Sequence, residues 1–171
     1  MKKYTVLYAL MLLFFAHPLT IKAQLISPLQ HFGFEPGSDR NLFSYEELIT
    51  YLDILDKSSN RLKLLDIGRS PMGKPMFIAF ISAEENISRL EELKTINRKL
   101  ALDPGLSQSD KEKLVQDGRV FVLGTLSMHS SEVGPSQAAA ILAYDLLTTT
   151  DPQKLGWLKD VIYMMVPCHN P

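Results

Sequence analysis

Cysteine is almost missing from this chain: Cys168 is the only one in 171 residues. An internal disulfide framework is therefore excluded, and the fold must rest on its apolar core, which favours a compact α/β domain over a small stapled scaffold. An excess of one charge sign is missing too. Eighteen basic residues face 19 acidic ones, a net charge of -1. With no basic patch, nucleic acid is not an expected partner. No apolar run reaches the ~20 residues that a membrane-spanning helix needs. The chain carries no G-x-S-x-G turn, the strand–turn–helix signature of one large class of serine hydrolases. Internal repeats and low-complexity segments are absent as well.

What is present begins with a leader. Lys2 and Lys3 precede an apolar stretch at 5–16, and a more polar stretch ends at Ala23. This is the pattern of a secretory signal peptide over residues 1–23, with cleavage expected between Ala23 and Gln24. No cysteine follows the apolar run, which excludes a lipid-modified one at the cut. We expect an exported protein, periplasmic or extracellular, with no stable membrane anchor after cleavage. Losing Lys2, Lys3 and Lys22 takes the 18 basic residues to 15 against 19 acidic, a net charge of -4.

Residues 24–43 hold turn formers and scattered aromatics, His31 among them, and read as an irregular lead-in to a domain over residues 44–171. Ser44 and Glu47 make a capping box, and Leu48, Leu52 and Leu55 recur on one face, so a helix is predicted to about Lys57. Residues 62–67 and 76–81 are apolar and strand-like. Ser70, Pro71 and Gly73 between them suit positions i, i+1 and i+3 of a type I turn, which predicts an antiparallel hairpin. A charged helix follows at 88–100, with Leu93, Ile96 and Leu100 on one side and its alternating charges as a solvated face. A shorter helix is expected at 109–116, capped by Ser109 and Glu112.

The last third carries the chemistry. Residues 120–126 are almost continuously apolar, the pattern of a strand covered on both faces. His129-Ser130-Ser131-Glu132 follows at once, then a helix to about Leu147 with Pro135 at its first position. Residues 161–166 form a second apolar strand before Cys168-His169-Asn170-Pro171. Strand–helix–strand units join parallel strands, so both strands end at one edge of the sheet, where ligands of open α/β sheets bind. His129, Glu132, His169 and Asn170 converge there. An imidazole and a carboxylate are two of the ligand types of a catalytic zinc ion. Three protein ligands are usual, and His169 or Cys168 stays open as a third. Glu132 alone would suit a helix amino end; beside His129 it reads as a ligand.

The ordered set formed by Gly68-Arg69-Ser70-x-x-Gly73-Lys74-Pro75, the strand into His129-Ser130-Ser131-Glu132, the Gly134-Pro135 helix and the strand into Asn170-Pro171 resembles the carboxypeptidase A-like zinc metallocarboxypeptidases. Pro36-Gly37-Ser38-Asp39-Arg40 is similar to their secreted bacterial branch. The resemblance implies a mixed α/β sheet flanked by helices, with an antiparallel hairpin followed by a parallel strand–helix–strand unit. It covers the amino-terminal half of the family's catalytic domain, an incomplete domain truncated at Pro171.

It further implies that His129 and Glu132 bind Zn2+, and that a third histidine and the catalytic general base lie beyond Pro171. No catalytic base is expected within the chain. Ser131 and Asn170 are expected pocket positions. The family's pattern is commonly His-x-Arg-Glu; Ser131 here takes away a cation that helps polarise the scissile carbonyl. The implied activity is hydrolysis of a peptide or peptide-like amide by metal-activated water, with these residues inactive alone. The alternatives are a deacylase of the same superfamily, or a truncated non-catalytic product that binds no zinc.

Overall fold

The computed structural model describes residues 25–129 and 131–171. The expected signal peptide lies outside the described residues. The described residues hold seven helices and four strands. In chain order these are α1 (Pro28–Phe32), α2 (Tyr45–Ser58), β1 (Leu62–Arg69), β2 (Pro75–Ile81), α3 (Glu84–Ser88), α4 (Leu90–Leu102), α5 (Gln108–Asp117), β3 (Val120–Thr125), α6 (Val133–Thr148), α7 (Pro152–Asp160) and β4 (Val161–Val166).

The sheet runs β1-β2-β4-β3. The hairpin is antiparallel, closed by Gly73 N–H donating to Ser70 O at 2.8 Å, as the turn chemistry requires. β2 pairs antiparallel with β4, and β4 pairs parallel with β3 from Val120↔Val161 to Thr125↔Val166. The two parallel strands therefore end together. That register places the loop after β3 beside the loop after β4.

Strand side chains alternate faces, and β2 shows both in use. Ala79 and Ile81 enter one cluster with Leu48, Tyr51, Leu52 and Leu55 of α2 and Ala139, Ala140 and Ala143 of α6. Ile78 and Phe80 enter the opposite cluster with Leu90, Leu93 and Ile96 of α4. Helices thus cover both faces of the inner strands. The small side chains of α6 let it lie close to the sheet, and its amino-terminal end adjoins the centre described below.

Several expectations are corrected. Among the described residues β3 lies at the edge of the sheet and is not covered on both faces: Val120, Val122 and Leu123 are 61%, 44% and 57% exposed. An apolar run reports strand character but not whether a neighbour lies beside it. Gly124, next to last in β3, has a different constraint. A Cβ there would meet the ring and hydroxyl of Tyr163, so the absence of a side chain lets the two strands' groups pass.

The shorter helix begins earlier than expected, because Ser107, not Ser109, accepts the Asp110 N–H at 3.1 Å. Pro135 is the third residue of α6, still within the turn whose N–H groups have no helical partner. The lead-in contains α1, capped reciprocally by Ser27 and Gln30. Its Phe32 stacks on Phe43 with ring centroids 4.0 Å apart, beside His31 and Tyr51. The segment thus carries one short helix, and its aromatic side chains pack beside α2. α7 is a helix where the sequence analysis predicts none, although Asp151 caps it and Pro152 opens it, both recognisable helix-start signals.

Candidate metal centre

Backbone bonds stitch the two carboxyl-terminal loops together. Leu126 N–H donates to Val166 O at 3.0 Å, and His169 N–H donates to Leu126 O at 2.7 Å. Between β3 and α6 the chain makes a tight excursion, closed by Glu132 N–H donating to His129 O at 2.9 Å. Glu132 is the residue just before the helix and has helical neighbours on one side only. Its carboxylate turns back over the loop. Oε2 accepts the backbone N–H groups of Met128 at 3.1 Å and His129 at 3.0 Å. Oε1 lies 2.7 Å from Nδ1 of His129.

The side chains of His129 and Glu132 are therefore in direct contact. Their side chains meet at the mouth of a pocket of about 150 Å3 whose wall includes Tyr45, Ser127, Cys168 and Asn170. Both remain open to solvent, His129 at 71% and Glu132 at 44% of the side chain. Asn170 is on the wall of this pocket; Ser131 is exposed and not among its lining residues. Cys168 also lines the pocket, half-buried, with its Sγ 3.9 Å from Ser127 O. His169 is exposed and uses its backbone, not its ring, to join the loops. Among the described residues no group of three or more His, Cys, Asp or Glu gathers to hold a metal.

Two pocket features went unread in the sequence. Tyr45, at the start of α2, donates to Pro75 O at 2.8 Å and so ties the hairpin to the pocket wall. Burial pushes its hydroxyl up to about 12, so it stays protonated. Gln137 of α6 is buried and clasps the backbone of Phe43, accepting its N–H at 3.4 Å and donating to its O at 3.1 Å. The partners are 94 residues apart.

The donor set fits a divalent cation in part. A histidine nitrogen and a carboxylate oxygen of one residue pair are neighbours, and the second carboxylate oxygen is anchored by backbone donors. Those donors support the carboxylate as outer bonds support metal ligands generally. The side-chain bond with His129, then the backbone N–H groups of His129 and Met128, hold the Glu132 carboxyl below its ordinary value of 4.5. Because the native value is depressed, the stabilisation is complete above the unfolded value and is lost as pH falls through the native one. A carbon-13 titration of the Glu132 carboxyl is expected to give a midpoint below that of an ordinary glutamate. A midpoint at or above 4.5 contradicts the bonding described here.

Comparison with known proteins bears on what this pair is for. The chain matches the zinc carboxypeptidase family over residues 48–171, a span that contains β1 to β4 and both His129 and Glu132. Among solved structures it is similar to carboxypeptidase A from Helicoverpa armigera, with a TM-score of 0.53 and 17% identity. That likeness covers 84% of this chain and 30% of the insect enzyme. It shows a shared fold; the chain spans about a third of the length of that relative. No curated protein matches the chain. No helix among the described residues is long and apolar enough to cross a membrane.

Proposed function

Because this chain belongs to the zinc carboxypeptidase family, we propose that His129 and Glu132 hold a zinc ion in a protein that hydrolyses peptide or peptide-like amides near a carboxyl terminus. The observation that carries the proposal is the 2.7 Å approach of His129 Nδ1 to Glu132 Oε1 beyond the ends of two parallel strands. The chain spans 30% of the carboxypeptidase it overlays, so the activity proposed is that of the whole protein in which these residues stand. A third ligand and the general base come from outside residues 25–171 on this reading.

When bound, zinc supplies a Lewis acid for the amide carbonyl and lowers the pKa of water toward neutrality. This chain's residues supply the rest of the local order. The backbone N–H groups of Met128 and His129 fix one carboxylate oxygen of Glu132, which leaves the other directed at the imidazole. Tyr45, Cys168 and Asn170 form the wall against which a substrate lies, with Asn170 and the protonated Tyr45 hydroxyl as polar groups there. Ser131 brings no cation to the mouth, so charge stabilisation of the carbonyl rests on the metal and on residues outside this chain. The basic-then-apolar leader at 1–23 supports an exported protein.

The test is release of carboxyl-terminal amino acids from a peptide mixture by the full-length protein, followed by mass spectrometry. Release is expected to stop on chelation and to return with added zinc. Release that persists unchanged after exhaustive chelation contradicts the metal-dependent reading.

A further inference from the structure

We propose that Ser127 is a positioning residue for this centre: its hydroxyl fixes the peptide of Glu132 and so aims the carboxylate at His129. The proposal rests on the zinc reading above. Ser127 is one of two non-glycine residues among those described with a left-handed backbone, at φ 49. A strained backbone of this kind persists only where the surroundings dictate it, and such residues cluster at functional sites. The side chain is buried, at 7% exposure.

Its hydrogen bonds explain the constraint. The Ser127 hydroxyl donates to the main-chain O of Glu132. Its oxygen accepts the Ser136 N–H at 3.0 Å and lies 2.6 Å from the Ser136 hydroxyl, which is also 3.1 Å from Pro167 O. Ser127 thus joins the loop after β3 to the residue before α6 and to the first turn of α6, and through the Ser136 hydroxyl to the residue after β4. A single hydroxyl hydrogen is committed to Glu132, and the Ser136 hydrogen is shared between Ser127 Oγ and Pro167 O.

This arrangement also resolves a conflict at the start of α6. A helix begins with unpaired N–H groups that the preceding side chain usually caps. Glu132 occupies that position and makes no cap bond to the helix. Ser127 takes over part of the duty by accepting the Ser136 N–H from across the loop. Glu132 is released from capping, and its carboxylate faces Met128, His129 and the imidazole instead.

The test separates positioning from plain folding. Glycine adopts a left-handed backbone without strain, so Ser127→Gly keeps the loop geometry accessible while deleting the hydroxyl. Zinc affinity is to be measured by calorimetry, with the visible spectrum of the cobalt-substituted protein and the melting temperature alongside. The expected result is a zinc Kd weakened by about 10-fold, the size usual for loss of an outer support of a metal ligand, with an altered cobalt spectrum and a metal-free melting temperature lowered by a few degrees, the effect of losing one helix cap. Ser136→Ala, which removes one support of the Ser127 hydroxyl, is expected to shift Kd in the same direction and by less; it carries the test if the glycine variant does not fold. A Ser127→Gly protein with wild-type Kd and cobalt spectrum overturns the positioning role alone. A wild-type protein that binds no zinc overturns the metal reading and this role with it.

Discussion

His129→Ala in the full-length protein is expected to lower kcat/KM for peptide hydrolysis by about 10^3-fold or more while leaving the melting temperature nearly unchanged. The size follows from ligand arithmetic. A catalytic zinc keeps three protein ligands, and its charge stabilisation of the transition state amounts to several kcal/mol. Each ~1.4 kcal/mol is tenfold in rate, so losing most of that stabilisation costs about three decades. The unchanged stability follows from exposure. The His129 side chain is 71% exposed, and its side-chain partner is Glu132. Substitutions at such surface positions change stability by about 0.5 kcal/mol or less. Glu132→Ala is the less clean variant, since it also removes the acceptor for the Met128 and His129 N–H groups and loosens the loop itself. Retention of activity within tenfold in His129→Ala, at wild-type melting temperature, contradicts metal ligation by this residue.

The second large effect concerns the support beneath the centre. Leu52→Ala is expected to destabilise the fold by about 2–5 kcal/mol, the range for deleting a fully buried leucine side chain. Leu52 is 0% exposed and lies in the cluster where α2, α6 and the sheet meet. The void cannot fill easily, because Ala139, Ala140 and Ala143 on the facing helix are too short to reach into it. Leu102→Ala, at the end of α4 and 67% exposed, is expected to change stability by about 0.5 kcal/mol or less. Urea unfolding of both variants checks the difference. Equal midpoints for the two place the core elsewhere. Because Gln137 of α6 clasps Phe43 just before α2, loss of this packing is also expected to disturb the pocket wall.

How much of this was legible beforehand depends on the range of the interactions involved. Local signals were read well: the Ser44–Glu47 box starts α2, and Ser70 to Gly73 closes the hairpin. The parallel pairing of β3 and β4 followed from the handedness rule for strand–helix–strand units and brought His129 and Glu132 to the sheet edge. Their mutual approach needed only three residues of spacing.

Longer-range features were not encoded locally. Nothing in Val120, Val122 or Leu123 distinguishes an edge strand from a central one, since that depends on what lies beside it. Phe43 and Gln137 find each other across 94 residues, a pairing that no periodicity announces. The capping-box pattern pointed to Ser109 with Glu112, whereas the cap is Ser107, whose hydroxyl accepts the Asp110 N–H. The left-handed backbone of Ser127 was invisible for a related reason. Serine carries no signal for positive φ, and the bonds that impose it come from Glu132 and Ser136.

One cation gripped jointly by the His129 ring and the Glu132 carboxylate is the claim on which the functional reading stands. Zinc titration of protein labelled with nitrogen-15 at histidine and carbon-13 at glutamate, followed by NMR, addresses it most directly. The Nδ1 resonance of His129 and the carboxyl resonance of Glu132 are expected to move together and to saturate at the same zinc-to-protein ratio. Movement of one without the other, or saturation centred on His169 while both stay still, contradicts it.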